Sequence, residues 1–154
     1  MPGLWNRGIP IPAGRLMKSS MGTKTDCYVD TSAFIAFLDR SDFHHPLYKR
    51  LFAEPPRLVT SALVIAEGHG WFLRRYDRLR ATQFLAFARG FNLAEIVSFD
   101  AVAISQAEAV ISRFSDQNLT LADAHGIAIM GGRKFKGCWS TDRHLALAGV
   151  PLVV

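Results

Sequence analysis

The chain has 154 residues, 49% of them hydrophobic and 20% charged, and its 18 Lys and Arg against 13 Asp and Glu give a net charge of +5. This length suits one domain whose core folds without disulfides or a structural metal, and the composition excludes wholesale disorder. No apolar run reaches the roughly 18 residues of a membrane span, and Cys27 and Cys138 lie too far apart for a disulfide framework or a zinc pair, so they read as reduced cysteines of a cytoplasmic protein.

Residues 1–25 carry three prolines, four glycines and no acid, and lack the apolar stretch of a signal peptide. They are expected to form a flexible leader before a single domain over residues 26–154. Cys27 to Thr31 is a short β-rich run, and Ser32 to Leu38 is apolar too densely for an exposed strand, so it predicts a buried helix. His45 to Ala53 predicts an amphipathic helix that Pro55-Pro56 ends. Arg57 to Ser61 predicts a second strand. Ala62 to Arg75 and Arg78 to Arg89 predict two helices, the first weakened by Gly68 and Gly70.

Ala94 to Phe99 predicts a third strand, and Ala101 to Phe114 and Leu119 to Met130 two more helices. Cys138 to Thr141 predicts a fourth strand, His144 to Ala148 a short helix, and Val150 to Val154 a fifth strand. Strands alternating with helices imply a three-layer α/β/α domain with a central parallel sheet of about five strands.

Such sheets bind ligands at the carboxyl ends of their strands. Asp30 ends the first strand and Asp142 follows the fourth, while Glu67 and Asp123 lie early in helices. Each acid can also be read as structural, and for two of them that reading is good. Thr120 to Asp123 fits a helix capping box, and Asp142 suits the N-cap of the short helix after it. Asp30 is unusual at the end of an apolar strand, and Glu67 sits among residues that read as buried, where a carboxylate needs a partner. Four carboxylates in one cleft repel one another. Mg2+, with Mn2+ as the alternative, is the oxygen-preferring cation that relieves this and supports phosphodiester hydrolysis. The five histidines show no zinc spacing and read as structural or surface residues.

These motifs resemble a known family. Val29-Asp30-Thr31-Ser32-Ala33 is similar to the opening motif of PIN domains, Thr60-Ser61 with Glu67 to their second, Leu119 to Ile127 to their third, and Ser140 to His144 (STDRH) to their fourth. Within that family the compact length and the STDRH ending most resemble VapC toxins. The resemblance implies a magnesium-dependent endoribonuclease, a homodimer, held inactive by a cognate antitoxin. It carries the family's acids onto Asp30, Glu67, Asp123 and Asp142, with Asp30 and Asp123 as metal ligands, and matches Thr31, Ser32 and Thr141 to polar positions that orient an acid or a water. Asp116 also falls where relatives have an acid and reads as a surface residue.

A basic surface attracts polyanions. Arg74, Arg75, Arg78 and Arg80 form one cluster, and Arg133, Lys134 and Lys136 another. The second, close in sequence to Asp123 and Asp142, is the expected RNA contact. Two alternatives from other classes are a non-catalytic PIN-like module that binds RNA or a partner, and a single-strand DNA nuclease. An aspartyl phosphatase is disfavoured, because Ser32 stands where its D-x-D motif needs an acid.

Overall fold

The computed structural model describes residues 26–154, and the expected leader lies outside the described residues. Five strands, β1 (Asp26–Val29), β2 (Arg57–Ser61), β3 (Glu95–Val97), β4 (Phe135–Trp139) and β5 (Leu152–Val153), form one sheet in the order β3-β2-β1-β4-β5. Every pairing is parallel. Helices α1 (Thr31–Leu38), α2 (His45–Ala53), α3 (Ala62–Arg75), α4 (Arg78–Gly90), α5 (Ala101–Arg113) and α6 (Leu121–Gly132) cross between strands, and a 3-10 helix (Arg143–Ala148) precedes β5. The result is the expected three-layer α/β/α arrangement.

The chain builds β1, β2 and β3 outward in one direction, then returns to add β4 and β5 on the other side of β1. The strand order therefore reverses between β1 and β4. A crevice opens at such a switch point because the connections leaving the two strands run to different places.

Burial explains why short strands suffice. The carboxyl halves of β1, β2 and β4 are buried throughout, as parallel strands covered by helices must be. Tyr28 points toward α6, where its ring meets Gly126. Trp139 packs against Tyr48 and Phe52 of α2. Phe34 of α1 stands among Phe52, Phe84 and Phe87 at centroid distances of 5.7, 6.2 and 6.1 Å. Such pairs contribute about 0.5–1.5 kcal/mol each beyond the area they bury.

Gly68 has a packing role in α3. A Cβ there would lie 2.3 Å from Cζ of Phe84, so α3 and α4 approach closely only because position 68 has no side chain. Propensity alone counts this glycine as a weakness, whereas packing makes it the contact point of two helices.

Several boundaries shift from the sequence expectation, and the causes are local. The first strand stops at Val29, not Thr31, because Asp30 caps α1. The fourth strand covers Phe135–Trp139, earlier than the expected Cys138 to Thr141, because Ser140 to Asp142 turn away from the sheet and bond to neighbouring side chains. β3 and β5 shorten to Glu95–Val97 and Leu152–Val153, as befits edge strands paired on one side. The penultimate helix runs on through Gly131 and Gly132.

Candidate metal centre

The junction of β1 and α1 places the first acid. Asp30 has extended backbone and caps α1, its Oδ2 accepting from the Ser32 backbone N–H at 3.4 Å and the Ser32 hydroxyl at 2.8 Å. Ser140, leaving β4, donates to the same oxygen at 2.9 Å. All three bonds fall on Oδ2. Asp30 is 8% exposed. Burial raises its pKa above the ordinary range, and the bonds from Ser32 and Ser140 offset only part of that rise. A carboxylate so deprived of water favours a cation beside it.

The turn after β4 supplies the second wall. The Thr141 backbone N–H donates to the Ser32 hydroxyl at 3.0 Å, and the Asp142 N–H to Ser140 Oγ at 2.9 Å. Two serine hydroxyls, 3.2 Å apart, thus tie this turn to the start of α1. Asp142 caps the 3-10 helix through the His144 N–H at 2.9 Å, and the His144 ring lies 3.2 Å from the same carboxylate oxygen.

Glu67 and Asp123 come from helices. Glu67 Oε2 accepts from the Thr31 hydroxyl at 2.8 Å. The Glu67 residue is exposed toward the cleft, not buried as its apolar neighbours suggest. Its pKa is nevertheless raised, first by incomplete hydration of the carboxylate and then by Asp30, Asp123 and Asp142. Asp123 forms the full capping box with Thr120. Its Oδ2 accepts from the Thr120 N–H at 2.9 Å, while its own N–H donates to the Thr120 hydroxyl at 3.1 Å. Capping occupies one oxygen and leaves Oδ1, so the structural and chemical roles of Asp123 are compatible.

All four acids line one open cleft of about 790 Å³ at the carboxyl ends of β1 and β4. Ligand atoms of Asp123, Asp142 and His144 lie within 4.8 Å of one another. Carboxylate oxygens with one imidazole suit a hard or borderline divalent cation, and so does the repulsion among the acids that adds to the effect of burial on the Glu67 pKa. The residues present therefore fit Mg2+ or Mn2+. Arg74 and Arg143 also line the cleft, and neither pairs with an acid among the described residues.

The family model of the PIN domain matches residues 27–149. The chain belongs to the PIN-domain family. Comparison with curated proteins finds no match. Among solved structures, VapC20 of Mycobacterium tuberculosis, a sarcin–ricin loop cleaving toxin, is 26% identical with a TM-score of 0.72, covering 80% of this chain and 95% of its own. A Pyrobaculum aerophilum protein is 17% identical with a TM-score of 0.57, covering 85% and 91%. VapBC2 of Rickettsia felis, bound to a DNA fragment from its promoter, is 13% identical with a TM-score of 0.57, covering 84% and 98%. The last two share the fold, and VapC20 carries the likeness to VapC toxins that the motifs suggest.

In this PIN domain the expected residues Asp30, Thr31, Ser32, Glu67, Asp123, Thr141 and Asp142 come together in one cleft. Arg133, Lys134 and Lys136 do not. Arg133 follows the last turn of α6 and pairs with Glu95 at 2.8 Å. The 12 residues of α6 carry the chain about 18 Å from its start, and β4 begins there before running back. Closeness in sequence is thereby turned into separation in space. Asp116 is exposed, as expected. His144, read as structural or surface, instead lines the cleft beside Asp142. Ser140 lacks an assigned role in the sequence motif, yet its hydroxyl joins the two acids, donating to Asp30 and accepting from the Asp142 N–H. No helix among the described residues is long and apolar enough to cross a membrane.

Proposed function

We propose that this PIN domain is a VapC-type toxin, a divalent-metal-dependent endoribonuclease inhibited by a cognate antitoxin, homodimeric and cytoplasmic. What carries the assignment is the convergence of Asp30, Glu67, Asp123 and Asp142 on one cleft. A scaffold that only binds RNA gains nothing from crowding its binding cleft with acids, because phosphates are repelled by them.

Asp30 and Asp123 are the principal ligands, each with one oxygen fixed by hydrogen bonds and the other available. Asp142 and His144 stand close enough to Asp123 to share its ion, their ligand atoms within 4.8 Å of one another, and Asp30 lines the same cleft outside that group. When bound there, Mg2+ or Mn2+ lowers the pKa of water and neutralises charge on a phosphodiester oxygen. Glu67 suits the general base. Thr31 holds its Oε2, and its raised pKa gives Oε1 a greater affinity for the proton of an attacking water. Ser32 and Ser140 keep Asp30 in place, and the Thr141 N–H fixes Ser32. Arg143 and Arg74 offer phosphate contacts at the cleft. Arg133, Lys134 and Lys136 are then distal contacts for an RNA that extends beyond it.

The likeness to VapC20 makes the sarcin–ricin loop of ribosomal RNA the first substrate to try. Labelled total RNA and a sarcin–ricin loop hairpin are incubated with wild-type protein or Asp30→Asn, in Mg2+, Mn2+ or chelator, with single-stranded DNA in parallel. Cleavage of RNA that needs the cation and disappears in a folded Asp30→Asn variant is the expected outcome. Cleavage that survives chelation, or no cleavage of any RNA, refutes the proposal, and cleavage of DNA alone reassigns the substrate.

A further inference from the structure

We infer that Trp71 and Arg74 form a platform for one unstacked nucleotide, the base lying on the indole and its phosphate meeting the guanidinium. The inference rests on the nuclease assignment and specifies its substrate as a strand with a base splayed out beside the cleaved bond.

Glu67, Trp71 and Arg74 are spaced i, i+4 and i+7 along α3, so they form one stripe on one helix face. All three line the cleft. Trp71 is partly buried, packed on the core by one side and supported edge-on by Phe72 and Tyr76 at 4.9 and 6.0 Å. Its indole is therefore held still yet remains partly open to the cleft, and its N–H has no partner among the described residues. A purely structural tryptophan has no need to line a cleft of carboxylates.

Arg74 is aimed by Gly70. A Cβ at position 70 would lie 3.0 Å from Arg74 Nη1, so the guanidinium lies back along α3 over the bare glycine, on the helix face that lines the cleft. Extended conformations directed into solvent would not make that contact. The glycine that weakens α3 by propensity makes room for a cation on the acid-bearing face.

A rigid aromatic surface with a cation beside it matches the chemistry of an unpaired nucleotide. Stacking on an aromatic ring accepts any base, since each has a π-face, and the neighbouring phosphate takes the positive charge. A base kept in a duplex stack presents no such face. The platform selects loop or single-strand RNA by shape and leaves sequence choice to other contacts.

The test uses Asp30→Asn protein, which holds RNA uncut, with a sarcin–ricin loop hairpin whose loop positions are made abasic one at a time. In the parent, one position is expected to lose about tenfold in affinity when abasic, the effect of one stacked base. Trp71→Ala should lose a similar factor with intact RNA and show no further loss with the abasic RNA, while Trp71→Phe retains most of the effect. A 2-aminopurine at that position should be quenched on binding by the parent and not by Trp71→Ala. Thermal melting of each variant verifies the fold.

An abasic penalty that persists undiminished in Trp71→Ala, or no sensitive position at all, overturns the platform while cleavage by the wild type leaves the nuclease assignment standing. Intact RNA affinity in Trp71→Ala alongside lost affinity for a protein inhibitor also overturns it and gives the surface to the antitoxin. Failure of the wild type to cut RNA removes both proposals together.

Discussion

Ser140 Oγ donates to Asp30 Oδ2 at 2.9 Å, a bond between residues 110 apart in sequence that joins the ends of the two strands flanking the crevice. The same hydroxyl accepts from the Asp142 N–H. One small side chain therefore positions two of the acids, and Ser140→Ala disturbs both. Loss of a group that orients a metal ligand typically costs 10–100-fold in metal affinity. Calorimetric titration of Mn2+ into Ser140→Ala should show a loss of about that size with the fold retained, and an unchanged affinity would show that Asp30 needs no such support.

The raised pKa values of Asp30 and Glu67 make the metal-free protein strained by its own charge. At low pH folded and unfolded chains both hold these protons. As pH rises, the unfolded carboxyls ionise first, so stability falls until the folded carboxyls have also ionised. Thermal melting in chelator should thus give a melting temperature that declines from mildly acidic toward neutral pH, and Asp30→Asn should flatten the decline and melt higher than wild type at neutral pH. Added Mg2+ should raise the wild-type melting temperature and leave Asp30→Asn much less affected. A variant that melts lower in chelator would contradict this account.

Gly68 and Gly70 sit on one helix and should respond oppositely to alanine. At position 68 the new methyl meets the Phe84 ring, and overpacking of this kind costs about 1–3 kcal/mol. At position 70 the neighbour is the flexible end of Arg74, so the helix gains roughly 0.5–1 kcal/mol of propensity while the guanidinium is displaced. Urea unfolding should separate the two, and Gly70→Ala should combine greater stability with weaker RNA binding.

Arg143 lies at the cleft, whereas Lys134 lies beyond the far end of α6. Reversal of Arg143 to Glu should reduce RNA affinity strongly and lower the salt slope by about one, as removal of a phosphate contact does. Reversal of Lys134 to Glu should have a smaller effect at the same salt. Filter binding across a salt series measures both, and equal losses would show that the RNA covers the whole length of α6.

Much of the fold was legible because buried parallel strands and helices differ in length and pattern, and α2 and α3 match their expected spans (His45–Ala53 and Ala62–Arg75) to the residue. The strand ends were not, since Asp30 and Ser140 act through side-chain bonds that override β propensity. The acids could be found from their places at strand ends and helix starts. His144 could not be ranked by spacing alone, because its significance comes from the 3-10 turn that folds its ring toward Asp142. Nor could the distance of Lys134 from the cleft, which depends on the direction of a whole helix.

The return of the chain to place β4 between β1 and β5 means that the centre is completed late in synthesis. A ribosome that has released Asp30, Glu67 and even Asp123 has not yet supplied Ser140 or Asp142, so the nascent polypeptide lacks both an acid and the hydroxyl that steadies the first one. Prematurely terminated products would be inert for the same reason. The cleft therefore gains its full set of acids only with the finished domain.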